Sequence, residues 1–70
     1  MEAAIDDFST AIRIDPNYAE SYYSRGMAYT FQRKLDQALR DLDKAILLNP
    51  RDDRAFVLRA RVYGALGQPD

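Results

Sequence analysis

The feature that most constrains this chain is that it matches itself at one offset. Shifted by 34 positions, AIDDFSTAIRIDP (residues 4–16) lies over ALRDLDKAILLNP (residues 38–50). Ala4 falls on Ala38, Ile5 on Leu39, Asp7 on Asp41, Phe8 on Leu42, Ala11 on Ala45, Ile12 on Ile46, Ile14 on Leu48 and Pro16 on Pro50. The same shift sets Tyr22 over Phe56, Arg25 over Arg59, Gly26 over Ala60, Ala28 over Val62 and Tyr29 over Tyr63. Two unrelated amphipathic helices would share a hydrophobic stripe, but they would not also share the prolines and an Arg-small dipeptide. A fixed period in this range marks stacked supersecondary units, each burying the face its neighbour leaves open.

Inside each unit the period is helical. Leu35, Ala38, Leu39, Leu42, Ala45 and Ile46 recur at i, i+3, i+4 and i+7, as do Ala4, Ile5, Phe8, Ala11 and Ile12. Tyr22, Gly26 and Tyr29 draw a second stripe, and Phe56, Ala60 and Tyr63 repeat it, with Val62 and Leu66 broadening it. Pro16 and Pro50 disfavour helix in the residue before each and are expected near the first position of the next helix. Asn17 with Glu20 reads as a capping pair, and Gly67 with Pro69 as the last stop. Four helices are predicted, near residues 2–14, 18–31, 35–48 and 52–66.

A glycine inside a helix loses about 1 kcal/mol relative to alanine, so Gly26 needs a reason. Helices joined by links of a few residues pack side by side as antiparallel neighbours. A small residue at the crossing admits the neighbouring backbone, and large side chains then meet small ones across the contact. Gly26 and Ala60 are predicted to be those notches. The packing set is Ala4, Phe8, Ala11, Tyr22, Gly26, Tyr29, Ala38, Leu42, Ala45, Phe56, Ala60 and Tyr63. Arg25 and Arg59 are expected to lay their aliphatic stems over this core with the charged heads at the rim.

Several function classes fit the composition poorly. The chain has no cysteine and no histidine, which removes disulfides, thiol nucleophiles and histidine metal sites. Ser9, Ser21 and Ser24 have no base placed beside them by an evident motif. Asp6 and Asp7 are helix neighbours that point different ways and read as a solvated face. Asp52 and Asp53 stand where a helix starts and carboxylates complement its positive end. No catalytic residue, metal site or cofactor is therefore assigned, and an enzyme is not expected. No apolar run reaches membrane-spanning length, and the first residues are acidic where a secretory leader is basic. The compartment is left open, with the cytoplasm as default. Net charge is −1, distributed as −4 over residues 1–20, +2 over 21–50 and +1 over 51–70. Nucleic-acid binding calls for a clustered basic excess that is missing here.

These residues resemble the tetratricopeptide repeat, whose 34-residue helix-turn-helix unit carries an aromatic, Leu-Gly and Tyr in its first helix and Ala, an aromatic, Ala and a closing Pro in its second. Tyr22, Gly26 and Tyr29, then Ala38, Leu42, Ala45 and Pro50, fill that pattern. The resemblance divides the chain into a preceding repeat's second helix (1–16), one complete repeat (17–52) and a following repeat's first helix (53–70), all within a single structural domain. The implied fold is all-α, an α-α superhelix of antiparallel helix-turn-helix repeats. Arg25 and Arg59 stand where leucine is usual, Leu42 where an aromatic is usual, and Arg33 where glycine makes the turn.

The resemblance also implies a function, a scaffold module whose first helices line a concave groove for a peptide or helix of a partner protein. Glu20, Tyr23, Ser24, Met27 and Thr30 lie off the packing stripe of one first helix, and Arg54, Val57, Leu58, Arg61 and Ala65 continue that side on the other. An aromatic, a methionine, aliphatics and arginines suit a partner with apolar anchors and acidic character. One subclass of the family clamps the C-terminal carboxylate of chaperones with lysines and asparagines. Tyr23, Ser24, Met27, Val57, Leu58 and Arg61 are other residue types, so that activity is not expected. The alternative is a self-assembling repeat unit, because terminal helices without neighbours expose packing faces. Self-association through the terminal helices is expected, head-to-tail or by helix exchange.

Overall fold

The computed structural model describes residues 2–67, with the side chain of Glu2 left aside. Four helices follow one another: α1 (Glu2–Ile14), α2 (Ala19–Phe31), α3 (Leu35–Leu48) and α4 (Asp53–Ala65). The described residues are all-α, and the helix limits fall within a residue of those the periodicity predicts. Each helix packs on its chain neighbour, α1 on α2, α2 on α3 and α3 on α4, and α2 also touches α4. The result is a flat slab of 34 × 27 × 14 Å.

The α1–α2 and α3–α4 turns are built from one recipe. Tyr18 N–H donates to the Asp15 carbonyl (3.3 Å), and 34 residues on Asp52 N–H donates to the Asn49 carbonyl (3.2 Å). In each turn proline takes the second place, where its fixed φ suits the bend. The side-chain oxygens of Asp15 and Asn49 accept from the backbone N–H two residues on, at 3.2 and 3.3 Å. The prolines thus lie in the turns and not at the first helical position. Asn17 is likewise no cap: Tyr18 holds that place in α2 without a side-chain cap bond. A helix opening three residues after a proline turn leaves Asn17 inside the bend. In α4 Asp52 does cap, accepting from Arg54 N–H at 3.1 Å.

The turn between α2 and α3 is tighter. Arg33 has φ 61°, and the bonds Lys34 N–H to Tyr29 C=O (2.9 Å) and Arg33 N–H to Thr30 C=O (3.0 Å) close a Schellman motif. Gly67, one period later, has φ 75° and donates to Gly64 C=O at 3.1 Å. The helix-stop role expected of Pro69 lies outside the described residues.

Two buried clusters hold the slab. Tyr22, Ala45 and Ala55 gather Ile12, Tyr23, Ile46 and Leu48. Ala38, Leu42 and Val62 gather Tyr29, Leu35, Leu39, Leu58 and Leu66. Gly26 is buried, and a Cβ there would stand 3.1 Å from Leu42 Cγ and Cδ2 and 3.4 Å from the Ala38 carbonyl oxygen. That is the notch the sequence predicts at this position.

The second notch is corrected. Ala60 is exposed and Phe56 is 39% exposed, while Ala4, Phe8, Ala11, Tyr29 and Tyr63 are half-buried. The stripe of Phe56, Ala60 and Tyr63 corresponds to the face of α2 that meets the helix after it, and among the described residues no helix follows α4. Helix α4 instead buries Ala55 and Val62 against the core. These are the positions of Ser21 and Ala28 one period on, both buried in α2.

Arg25 ties three helices together. Its Nε and Nη2 donate to both carboxylate oxygens of Asp41 on α3 (2.7 and 2.8 Å), and Nη1 donates to Ser9 Oγ on α1 (3.0 Å). Asp41 is 4% exposed, so this fork satisfies a buried carboxylate. The guanidinium lies 5.8 Å from the Tyr29 ring centroid, and the hydrogen bond to Asp41 raises its pKa above the ordinary arginine value. The head of Arg25 is therefore a structural bridge, not a free rim charge. Arg59 makes the backward half of the same pattern, Nη1 to Asp43 Oδ1 at 2.9 Å.

Candidate functional site

Short turns reverse the chain at each step, so α2 and α4 run the same way and lie side by side. Between them is a hollow of about 500 Å³ lined by Tyr23, Met27, Thr30 and Phe31 of α2 and Asp53, Arg54, Val57, Leu58 and Arg61 of α4. The four α2 residues follow i, i+4, i+7 and i+8, one face of the helix. Phe31 is 71% exposed and Val57 54% exposed, large apolar side chains that the core leaves to this side.

Seven of the ten residues predicted for the groove meet here: Tyr23, Met27, Thr30, Arg54, Val57, Leu58 and Arg61. Ser24 and Ala65 are not part of the lining, and Glu20 reaches the site only through Arg54. Phe31 and Asp53 were missed. Phe31 lies four residues past Met27 and so on the same face, a spacing that would have found it. Asp53 reads from sequence only as a charge at a helix start, a role that hides its place beside the hollow.

The two groove arginines differ. Arg54 donates to Asp52 through Nε (3.0 Å) and Nη2 (2.9 Å), donates to Glu20 Oε1 (2.6 Å), and stacks 4.5 Å from the Tyr23 ring centroid. Hydrogen bonds from Arg54 hold the Asp52 carboxyl below its ordinary 3.8, and those to Asp52 and Glu20 raise Arg54 above its own ordinary value. Among the described residues Arg61 has no acidic side chain within ion-pair distance. Arg61 is exposed at the wall of the hollow.

A smaller hollow of about 260 Å³ lies between Ile5, Asp6, Tyr29, Gln32 and Lys34. Gln32 Oε1 is buried there without a hydrogen-bond partner among the described residues. No group of three or more acidic side chains able to hold a metal occurs among the described residues.

The sequence matches the family model described as Tetratricopeptide repeat over residues 19–52, and a second model described as TPR repeat over residues 1–32. It is 39% identical over 52 residues (74% of this chain) to the DnaJ homolog subfamily C member 7 homolog of Dictyostelium discoideum. It is 38% identical over 57 residues (81% of this chain) to Superkiller protein 3 of Saccharomyces cerevisiae. It is 30% identical over 69 residues (99% of this chain) to the Small glutamine-rich tetratricopeptide repeat-containing protein 2 of Saccharomyces cerevisiae. The matched segment spans 10%, 4% and 20% of the length of these relatives respectively. No solved structure matches the chain. With two repeat models on adjoining helices and a 34-residue period carried by packed residues, the chain belongs to the tetratricopeptide repeat family, a fold of protein–protein interaction modules.

Proposed function

We propose that the hollow between α2 and α4 receives a segment of a partner protein with apolar anchors and an acidic side chain. Met27, Phe31, Val57 and Leu58 provide the apolar floor, and Arg61 takes the acid. The observation that carries this reading is the composition of the lining, large apolar side chains left exposed beside one uncommitted cation. Exposed apolar surface bounded by polar residues is characteristic of interaction sites. Arg54 is less available to an incoming acid, since a new carboxylate there must displace Glu20 or Asp52.

Fluorescent peptides with Leu or Phe at i, i+3 and i+7 and either Asp or Lys flanks test it by anisotropy. The Asp series should bind the wild-type chain more tightly than the Lys series. Met27→Glu combined with Val57→Glu should weaken binding at least about tenfold, the scale of losing well-buried apolar contacts, and Arg61→Glu should reverse the preference between series. All three positions are exposed, so helical content should not change. Equal binding by wild type and the double variant would remove the groove from consideration.

A further inference from the structure

The spacing of the arginine contacts defines a second interaction surface, at the two ends of the slab. Arg25 reaches sixteen residues forward to Asp41 and sixteen back to Ser9. Arg59, one period later, reaches sixteen back to Asp43. Among the described residues no side chain accepts from its Nε or Nη2, the two atoms with which Arg25 forks onto Asp41. At the other end Asp7 is the period-equivalent of Asp41, and it is exposed with no basic side chain in ion-pair range among the described residues. The apolar residues around these charges are divided in the same way. Helix α4 exposes Phe56 and Ala60 where α2 presents Tyr22 and Gly26 to α3, and α1 carries Ala4, Phe8 and Ala11 where α3 carries Ala38, Leu42 and Ala45. Ile14, the counterpart of half-buried Leu48, is 80% exposed.

We propose that α1 of a second copy of this chain docks on α4 in the register that α3 takes on α2, with Arg59 forking onto Asp7 of the second copy and Ala60 lying under its Phe8. This surface is separate from the groove and does not depend on the groove being a binding site. Charge selects the occupant and its orientation. Residues 1–20 carry −4 and residues 51–70 carry +1, so front meets back with opposite signs. The symmetric alternatives bring Arg59 to Arg59 or Asp7 to Asp7, and like charges placed face to face disfavour them. Ala60 has a Cβ that Gly26 lacks, and Phe8 is larger than Leu42, so the contact is more open than the α2–α3 packing and reverses on dilution. Being head-to-tail it leaves a free front and a free back at every stage, and copies add one after another.

Two variants at exposed positions test this, each disabling one end. Asp7→Arg spoils the front and leaves the back intact; Ala60→Arg does the reverse. Wild-type chain should show an average mass by sedimentation that climbs above one chain between micromolar and millimolar concentration, while each variant alone stays at one chain with unchanged helical circular dichroism. An equimolar mixture of the two should reach twice the chain mass and stop, because only the intact back of one and the intact front of the other fit. Three results overturn the proposal. They are a wild type that stays at one chain mass at millimolar concentration; a mixture that stays monomeric; or a single variant that pairs with itself as wild type does.

Discussion

Arg33 and Gly26 occupy opposite kinds of constrained position. Arg33 holds φ 61° in the turn between α2 and α3, a conformation that costs a residue with a Cβ about 1 kcal/mol. Arg33→Gly removes that strain, and the extra freedom glycine gains in the unfolded chain offsets part of it. The expected net gain is about 0.5 kcal/mol, read as a melting temperature higher by about 2–4 °C in a domain this size. The chain itself uses glycine at the equivalent place, Gly67. Gly26→Ala should go the other way. Alanine gains about 1 kcal/mol of helix propensity, but the new methyl meets a fully buried Leu42 whose Cγ and Cδ2 are both 3.1 Å away. Overpacking of this kind costs about 1–3 kcal/mol, so denaturant titration should show a net loss near 1 kcal/mol. Both positions were legible in the sequence, Arg33 because it stands at a family glycine and Gly26 because it interrupts a good helix between tyrosines. Ala60 misled for a physical reason: a stripe reports which face is built for packing, and only tertiary structure shows whether a neighbour is there.

Among the elements, the period located all four helices, while the fork that binds three of them was only half visible. Asp41 aligns with Asp7, yet an aspartate on a helix reads as solvated until an arginine on the neighbouring helix is known to face it. A double-mutant cycle measures the pair. Arg25→Ala and Asp41→Ala should each destabilise, and their coupling free energy should be about 2 kcal/mol, below the 3–5 kcal/mol of breaking a fully buried pair because the Arg25 side chain is 22% exposed. Additive losses in urea titrations would mean that the fork is geometrically present without energetic consequence. The turns were misread for a related reason. Proline suits both the first helical position and the second place of a bend, and the Asp15 and Asn49 side chains that accept in the two turns select the bend.

Across the whole molecule stability should be graded from the middle outward. Helices α2 and α3 each pack on two chain neighbours, whereas α1 and α4 each pack on one. Repeat proteins sum such interface terms, and a helix packed on one neighbour, as α1 is, opens first, with α4 held by α3 and a slighter contact to α2. Hydrogen exchange should accordingly protect the α2 and α3 amides most and those at the start of α1 least. Uniform protection from α1 to α4 would show that the chain unfolds as one unit. The hollow follows from this layout, since stacking α2 and α4 side by side brings Tyr23 next to Arg54 and leaves Arg61 two turns further along α4 with no acidic side chain in ion-pair range among the described residues. One end of the hollow is thus electrically settled before anything arrives, and the other is not. Under the proposed function such a channel has polarity as a one-way street does: a guest peptide and its reversed sequence share every residue, but only one order would carry the acid to the unsatisfied end.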